Sequence, residues 1–361
     1  MKKTNVALGL LALLATGGAM AQSSVTIGGL VDSFAGSMKN SGDTASRAVV
    51  GSGGMSTSWF GFKGSEDLGG GLKAEFALTS FFQTDSGTIG RFGGDNLFSR
   101  DANVGLVGSF GKVALGRNLA PNFLPTVISN PFGDSFTFSP LVVQANVPSG
   151  PFGARTWAAS NASDTGWSNE IIYTTPDFSG LKANIHYQLG EVAGNSGKKN
   201  IGINALYFNG PLALTAYYHN IQVGNPNPGS IVDATTTPIN FASINRQKTA
   251  FVGGNYDLNV VKLFATYQVS DDDTTTTRSM KDKLYSVGLS APVGPGSVLL
   301  GYANTKRTGS LVGADLKRDT ATLGYDYFLS KRTDLYAMLM SDKITNADRA
   351  TSAGVGVRHR F

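Results

Sequence analysis

The chain has 361 residues, no cysteine and a net charge of +5. That charge is too mild, with no basic stripe beside it, to mark a nucleic-acid binder, and the lack of cysteine excludes thiol chemistry and disulfide staples. Glycine is abundant at 46 residues, aromatics reach 10% and charged residues only 15%, against an ordinary ~25%, a balance suited to long strands and tight turns.

The chain opens on Lys2 and Lys3, an apolar run from Val6 to Thr16, and Ala19-Met20-Ala21. These are the parts of a secretory leader with its cleavage site, so 1–21 reads as a signal peptide and 22–361 as the mature domain. The apolar run is too short for a membrane anchor, and no later run approaches the ~18 apolar residues of a transmembrane helix.

Beyond the leader, apolar and polar residues alternate in segment after segment. Leu72, Ala74, Phe76 and Leu78 share one face, with Lys73, Glu75 and Thr79 opposite. Leu181, Ala183, Ile185 and Tyr187 alternate with Lys182, Asn184, His186 and Gln188. The same pattern recurs at Leu212–Tyr218 and Val261–Gln268. Short stretches rich in Gly, Pro, Asn, Asp or Ser mark tight turns at 68–71, 109–111, 176–180, 209–211, 257–259, 294–297 and 330–333. Longer polar stretches fall between them, at about 39–53, 85–96, 119–165, 190–199, 222–246, 271–281, 306–317 and 343–350. Seven short turns alternating with eight long loops require sixteen strands. The expected fold is all-β, a sixteen-stranded antiparallel transmembrane β-barrel with its tight turns on the periplasmic side.

The third long stretch, about 119–165, carries six prolines and Phe123, Phe132, Phe136 and Phe138. A loop of that length is functional or disordered, and its apolar content argues against disorder. It reads as a segment folded back into the barrel lumen. Asp271, Asp272 and Asp273 lack the spacing of a cation loop and read as a solvated tip, so no metal or cofactor is expected. Counting back by two from Phe361 places His359, Val357 and Val355 on the lipid face and Arg360 and Arg358 on the other. The histidines, His186, His219 and His359, fall in no zinc-helix or nucleophile-elbow motif, and the chain does not read as an enzyme.

Four stretches resemble one family. They are Ser58-Trp59-Phe60-Gly61-Phe62-Lys63-Gly64-Ser65-Glu66-Asp67-Leu68-Gly69 on through Ala74, Leu97-Phe98-Ser99-Arg100-Asp101 on through Leu106 with Gly108 to Gly116-Arg117-Asn118, Asn169–Leu181, and the closing Gly354–Phe361. In order, and with a terminal Phe, they resemble the Gram-negative trimeric general porins of the β-proteobacterial type. The resemblance implies a homotrimer in outer-membrane lipid, exported to the cell outer membrane, passing small hydrophilic solutes and ions by passive diffusion. It also implies a third loop in the lumen and a transverse field between wall arginines and loop acids.

Carried over residue by residue, Arg100 and Arg117 match basic constriction positions, and Asp134 resembles an acidic loop position. Lys63 joins the pore-lining set. The family usually has Arg where this chain has Trp59 and about Gly166, so part of the basic cluster is missing, and Arg155 stands as a substitute. Weak anion preference is the expectation. Phe361 resembles the family's recognition signal for the barrel-assembly machinery. Two other readings stay open: a substrate-specific porin of the same fold, drawing on Trp59 and the aromatic third loop, and a structural or adhesive surface barrel, drawing on the long loops.

Overall fold

The computed structural model describes residues 23–91, 95–146, 164–191, 193–194, 198–223, 244–274, 279–310 and 312–361. The expected leader and Arg155 lie outside the described residues. Strands run in chain order as β1 Ser24–Met38, β2 Arg47–Ser52, β3 Trp59–Gly69, β4 Leu72–Phe81, β5 Asp101–Gly108, β6 Gly111–Leu119, β7 Gly166–Thr174 and β8 Leu181–Leu189. They continue as β9 Lys199–Asn209, β10 Leu212–Ile221, β11 Ile244–Asp257, β12 Lys262–Thr274, β13 Ser279–Val293, β14 Gly296–Thr308, β15 Leu316–Phe328, β16 Thr333–Ile344 and β17 Ala350–Arg360. Among the described residues, two short helices, α1 Phe123–Ile128 and α2 Pro140–Asn146, fall between β6 and β7.

All the strands join one antiparallel sheet, and β17 pairs back onto β1 from Leu30↔Arg360 to Ser37↔Ala353. The sheet is therefore closed. β1 pairs with β3 along its first half and with β2 along its second, so β2 and β3 are two pieces of one stave and the barrel has sixteen. Closure leaves no unpaired edge, which is what a sheet crossing lipid requires. The seven tight turns lie where the Gly, Pro and Asn clusters predict them, as at Gly210, whose φ of 55 suits the hairpin between β9 and β10.

The two faces of the sheet invert the pattern of a soluble protein. Val25, Ile27, Leu181, Ile185, Leu300, Leu323 and Val355 are exposed, while His186, Gln188, Asn200, Arg318 and Asp342 are buried. Apolar side chains thus cover the outside, where lipid solvates them, and polar ones share the inside. Among the described residues no helix is long and apolar enough to cross a membrane.

Two stretches depart from the sequence reading. Residues 39–53 contain β2, and Asp271–Asp273 lie inside β12 instead of forming a tip, with Asp272 buried and bonded by the Gln247 side-chain amide at 2.8 Å. At its end β12 carries polar residues on both faces, so alternation vanishes, and β2, six residues long, is too short to display it.

Candidate functional site

Strict alternation fixes which side chains meet inside. Cross-strand registers Ser65↔Glu75, Lys63↔Ala77, Ala77↔Asn103 and Asn184↔Asn204 put these residues on the polar face. Together with Arg100, Asp101, Lys112, Asn118 and His186 they line a cavity of about 450 Å³, closed on one side by Ala120 and Leu124. Arg100 precedes β5 and is held there by its amide, which donates to Thr79 O at 3.2 Å. Its guanidinium donates to the Asp101 carboxylate at 2.8 Å and lies over the Trp59 ring, 4.4 Å from the centroid. Trp59 faces inward because it sits opposite Leu30 and Phe81. Lys112 pairs with Glu75 at 2.8 Å. Lys63 is exposed in this cavity and has no ion pair among the described residues.

Arg117 sits elsewhere. The register slips between Gly116 and Asn118, Gly116 adopts a φ of +123, and the Arg117 side chain does not line the cavity. Its guanidinium donates to Ser99 O at 2.6 Å, Ser168 Oγ at 3.0 Å and Asp164 Oδ2 at 3.2 Å, leaving it 5% exposed. A Cβ on Gly166 would stand 2.9 Å from that guanidinium, so the space an arginine might fill at 166 is already occupied by Arg117. Asp164 also binds Arg91, which in turn bonds Asp95 at 2.9 Å. Burial opposes ionisation of Asp164, but Arg91 and Arg117 outweigh it and hold its carboxyl below the usual range.

Residues 120–146 lie along the polar face of the sheet. Asn204 donates to Pro121 O at 3.0 Å, Asn255 to Ile128 O at 2.9 Å, and Thr322 to Phe138 O at 2.8 Å. The Gln144 amide donates to Ala303 O at 2.9 Å, and Arg318 to Val143 O at 3.3 Å. Phe132, Phe138 and Val143 pack with Phe34, Met338 and Met340, and Phe138 meets Phe34 edge-on at 5.6 Å. Asp134 in this segment does not meet Arg100 or Arg117. It accepts the Thr57 amide at 3.3 Å, beside Ser56 and the charge of Arg358, and burial raises its pKa above the usual value in spite of those partners.

The wall from β13 round to β1 carries ion pairs that sequence reasoning missed. Arg358 bridges Asp334 at 2.5 Å and Asp326 at 3.1 Å, Arg360 meets Asp334 at 2.9 Å, Arg318 meets Asp342 at 2.9 Å, and Arg307 meets Asp282 at 2.6 Å. Asp32 accepts the amides of Gly54, Met55 and Ser56 at 2.8–3.0 Å and the Tyr336 hydroxyl at 2.5 Å, which folds the break between β2 and β3. Inward parity could have flagged each acid, but not its partner. At the closing strand, Phe361 exchanges two main-chain hydrogen bonds with Gly29, at 3.1 and 3.2 Å, and its ring stays 48% exposed on the outer face.

The family described as Gram-negative porin matches residues 7–347. The outer membrane porin protein 32 of Delftia acidovorans is 34% identical across the whole of both chains, and an outer membrane porin protein of Bordetella pertussis is 31% identical across the whole of both. Among solved structures, an anion-selective porin from Comamonas acidovorans superposes with a TM-score of 0.74 at 29% identity, covering 94% of this chain and all of that one. OmpT of Vibrio cholerae with loop L8 deleted, at 16% identity and a TM-score of 0.67, shares the fold.

Proposed function

Because this chain belongs to the Gram-negative porin family, we propose that residues 120–146 fold into its lumen and set the width of a weakly anion-preferring path. The chain is an outer-membrane porin, a passive channel for small hydrophilic solutes. Conduction asks for a wall that attracts solute without holding it.

The observation that carries the preference is the contrast inside the 450 Å³ cavity. Arg100 is matched by Asp101 and shielded by Trp59, whereas Lys63 has no ion pair among the described residues. Fixed positive charge beside low-dielectric walls raises local anion concentration. One exposed lysine beside compensated arginines supports a mild field, and the Comamonas relative named as anion-selective supports its sign. Arg117 and Asp134 support the wall more than the field, given their partners.

The experiment is a planar-bilayer recording in a salt gradient. Lys63→Gln should move the reversal potential toward that of an unselective pore, by a larger step than Arg117→Gln. An unchanged potential in Lys63→Gln removes this assignment. Trp59 favours a second reading, a substrate-specific porin. Its ring lies among the inward residues, and saturation of the current by one solute separates that reading from the general one. We also infer a leader at 1–21, a homotrimer, a role for Phe361 in recognition by the assembly machinery, and no enzymatic activity.

A further inference from the structure

A second cavity, of about 380 Å³, lies toward the long-loop end of the barrel and shares no lining residue with the one that holds Lys63 and Arg100. Three segments build it: the facing ends of β1 and β2, the hairpin 82–89, and residues 136–137 between the two helices. Hydrogen bonds hold each in place. The hairpin is closed by the Gln83 amide on Thr88 O at 2.9 Å and tied to β1 by Thr84, which donates to Asp32 O at 3.1 Å. Ser135 donates to Gly54 O at 2.6 Å and Thr137 to Gly53 O at 2.9 Å.

Register fixes which side chains face this space. Met38 stands opposite Arg47, and Gly36 opposite Val49. Met38 and Val49 pack against the cluster of Phe34 and Phe138, so theirs is the inner face, and Arg47 shares it. Together with the half-buried Phe136, they give the cavity an apolar flank. Its charges are of two kinds. Arg91 is matched by Asp95 at 2.9 Å and by Asp164. Arg47 and Asp85 are exposed, and neither has an ion pair among the described residues, with the other or with any third group.

We propose that this cavity takes a free α-amino acid with an aromatic or large apolar side chain. The carboxylate meets the Arg47 guanidinium, whose planar fork suits two oxygens. The ammonium meets Asp85, and the side chain lies against Met38, Val49 and Phe136. A simple anion would leave Asp85 unmatched beside it, and a simple cation would leave Arg47 so. A solute with both charges on one small body and an apolar flank answers all three features. The volume falls in the range of about 300–1,000 Å³ usual for small-molecule sites. Charges that keep contact with water hold a ligand weakly, so the solute is gathered and then released, as conduction requires. The site is independent of the ion preference assigned to Lys63, which a reversal potential in salt alone reads separately.

The test is a ligand-observed NMR titration of the purified porin in mild detergent, each run corrected against detergent alone. The probes are phenylalanine, hydrocinnamate (no ammonium), phenethylamine (no carboxylate) and glycine (no side chain). The parent should bind phenylalanine about two- to fivefold more tightly than any of the other three, the size of an exposed ion pair. Arg47→Gln should erase the preference over phenethylamine and keep that over hydrocinnamate. Asp85→Asn should do the reverse. A merely structural role would weaken every ligand alike. Lys331→Gln, in the tight turn at the opposite end, should change nothing. The comparison of the four probes on the parent needs no variant, so it stands even where a variant assembles poorly. Equal binding of phenylalanine and hydrocinnamate by the parent overturns the proposal, since it leaves an anion site. So does equal binding of glycine, which removes the apolar flank. Preferences unmoved in Arg47→Gln and Asp85→Asn, or moved as much in Lys331→Gln, overturn it as well.

Discussion

The guanidinium of Arg100 lies over the indole of Trp59, 4.4 Å from its centroid, and bonds Asp101 at 2.8 Å. A cation over a ring and beside a carboxylate keeps its charge but loses much of its reach. Trp59→Arg replaces the shield with a second positive charge at an inward position and should raise anion selectivity without blocking current. Arg100→Ser leaves Asp101 uncompensated, so it should lower selectivity and enlarge conductance. Reversal potentials across a salt gradient check both. No change on Arg100→Ser would mean that Arg100 does not act on the permeating ion.

How far the sequence leads depends on the range of the cause. Strand number and tight turns depend on neighbours, so Asn209-Gly210-Pro211 announces the β9–β10 hairpin directly. The break between β2 and β3 depends on Asp32 and on Tyr336, 304 residues away, and no local pattern reveals it. Alternation along β6 places Arg117 on the outer face with Val113 and Leu115, and the irregularity at Gly116 breaks that alternation, so no local pattern reveals its buried partners. Arg358 was legible as inward, but which acids it meets, Asp334 at 24 residues and Asp326 at 32, is set by the registers of β15, β16 and β17 and not by alternation alone. The aspartates of β12 were misread as a tip because charge on both faces at a strand's end looks like a loop.

The homotrimer inferred for this chain should survive mild detergent. Unheated samples should run as a high-mass band on a gel and collapse to a single chain on boiling. Sedimentation as a monomer in mild detergent would count against the assembly.

Arg318 ties the segment that bears α2 to the strand wall. It pairs with Asp342 with side chains 1% and 0% exposed, and it donates to Val143 O within α2. Removing one partner of a buried pair costs about 3–5 kcal/mol, because the other charge stays buried. Arg318→Ala should therefore lower the unfolding temperature and, by loosening α2, raise open-channel noise. A quiet channel of unchanged size would show that the hydrogen bonds of Gln144 to Ala303 O and Thr320 hold α2 without Arg318.

Asp164 and Asp134 predict opposite acid responses. The carboxyl of Asp164 is held below its usual value in the fold, so its stabilisation is present above the unfolded pKa of about 3.9 and is lost as pH falls through the lower, folded one. Asp134 is raised, so its contribution is present below the unfolded value and is lost as pH rises through the folded one. In melts followed between about pH 3 and 7, Asp164→Asn should flatten the acid limb while lowering stability at neutral pH. Asp134→Asn should remove the loss on the rising side. If Asp164→Asn kept the parent's acid limb, its pairing with Arg91 and Arg117 would not be the source of that limb.

Phe361 offers a choice between sealing the barrel and being read by the assembly machinery. Its main chain exchanges two hydrogen bonds with Gly29, and its ring lies so close to Gly29 that a Cβ there would stand 2.5 Å from Cζ. Main chain and ring can be separated by substitution. Deleting Phe361 removes both, whereas Phe361→Ala removes the ring and keeps the two bonds. A ring that is 48% exposed on the lipid side contributes little burial, so its loss should hardly change the stability of barrels already formed. If the ring is the signal, Phe361→Ala and the deletion should lower outer-membrane yield alike, several-fold. The barrels that do assemble should keep the parent's conductance, since the residue faces away from the lumen. If Phe361→Ala assembled at the parent's yield and only the deletion failed, the two bonds to Gly29 would carry the effect, and the recognition role would be withdrawn.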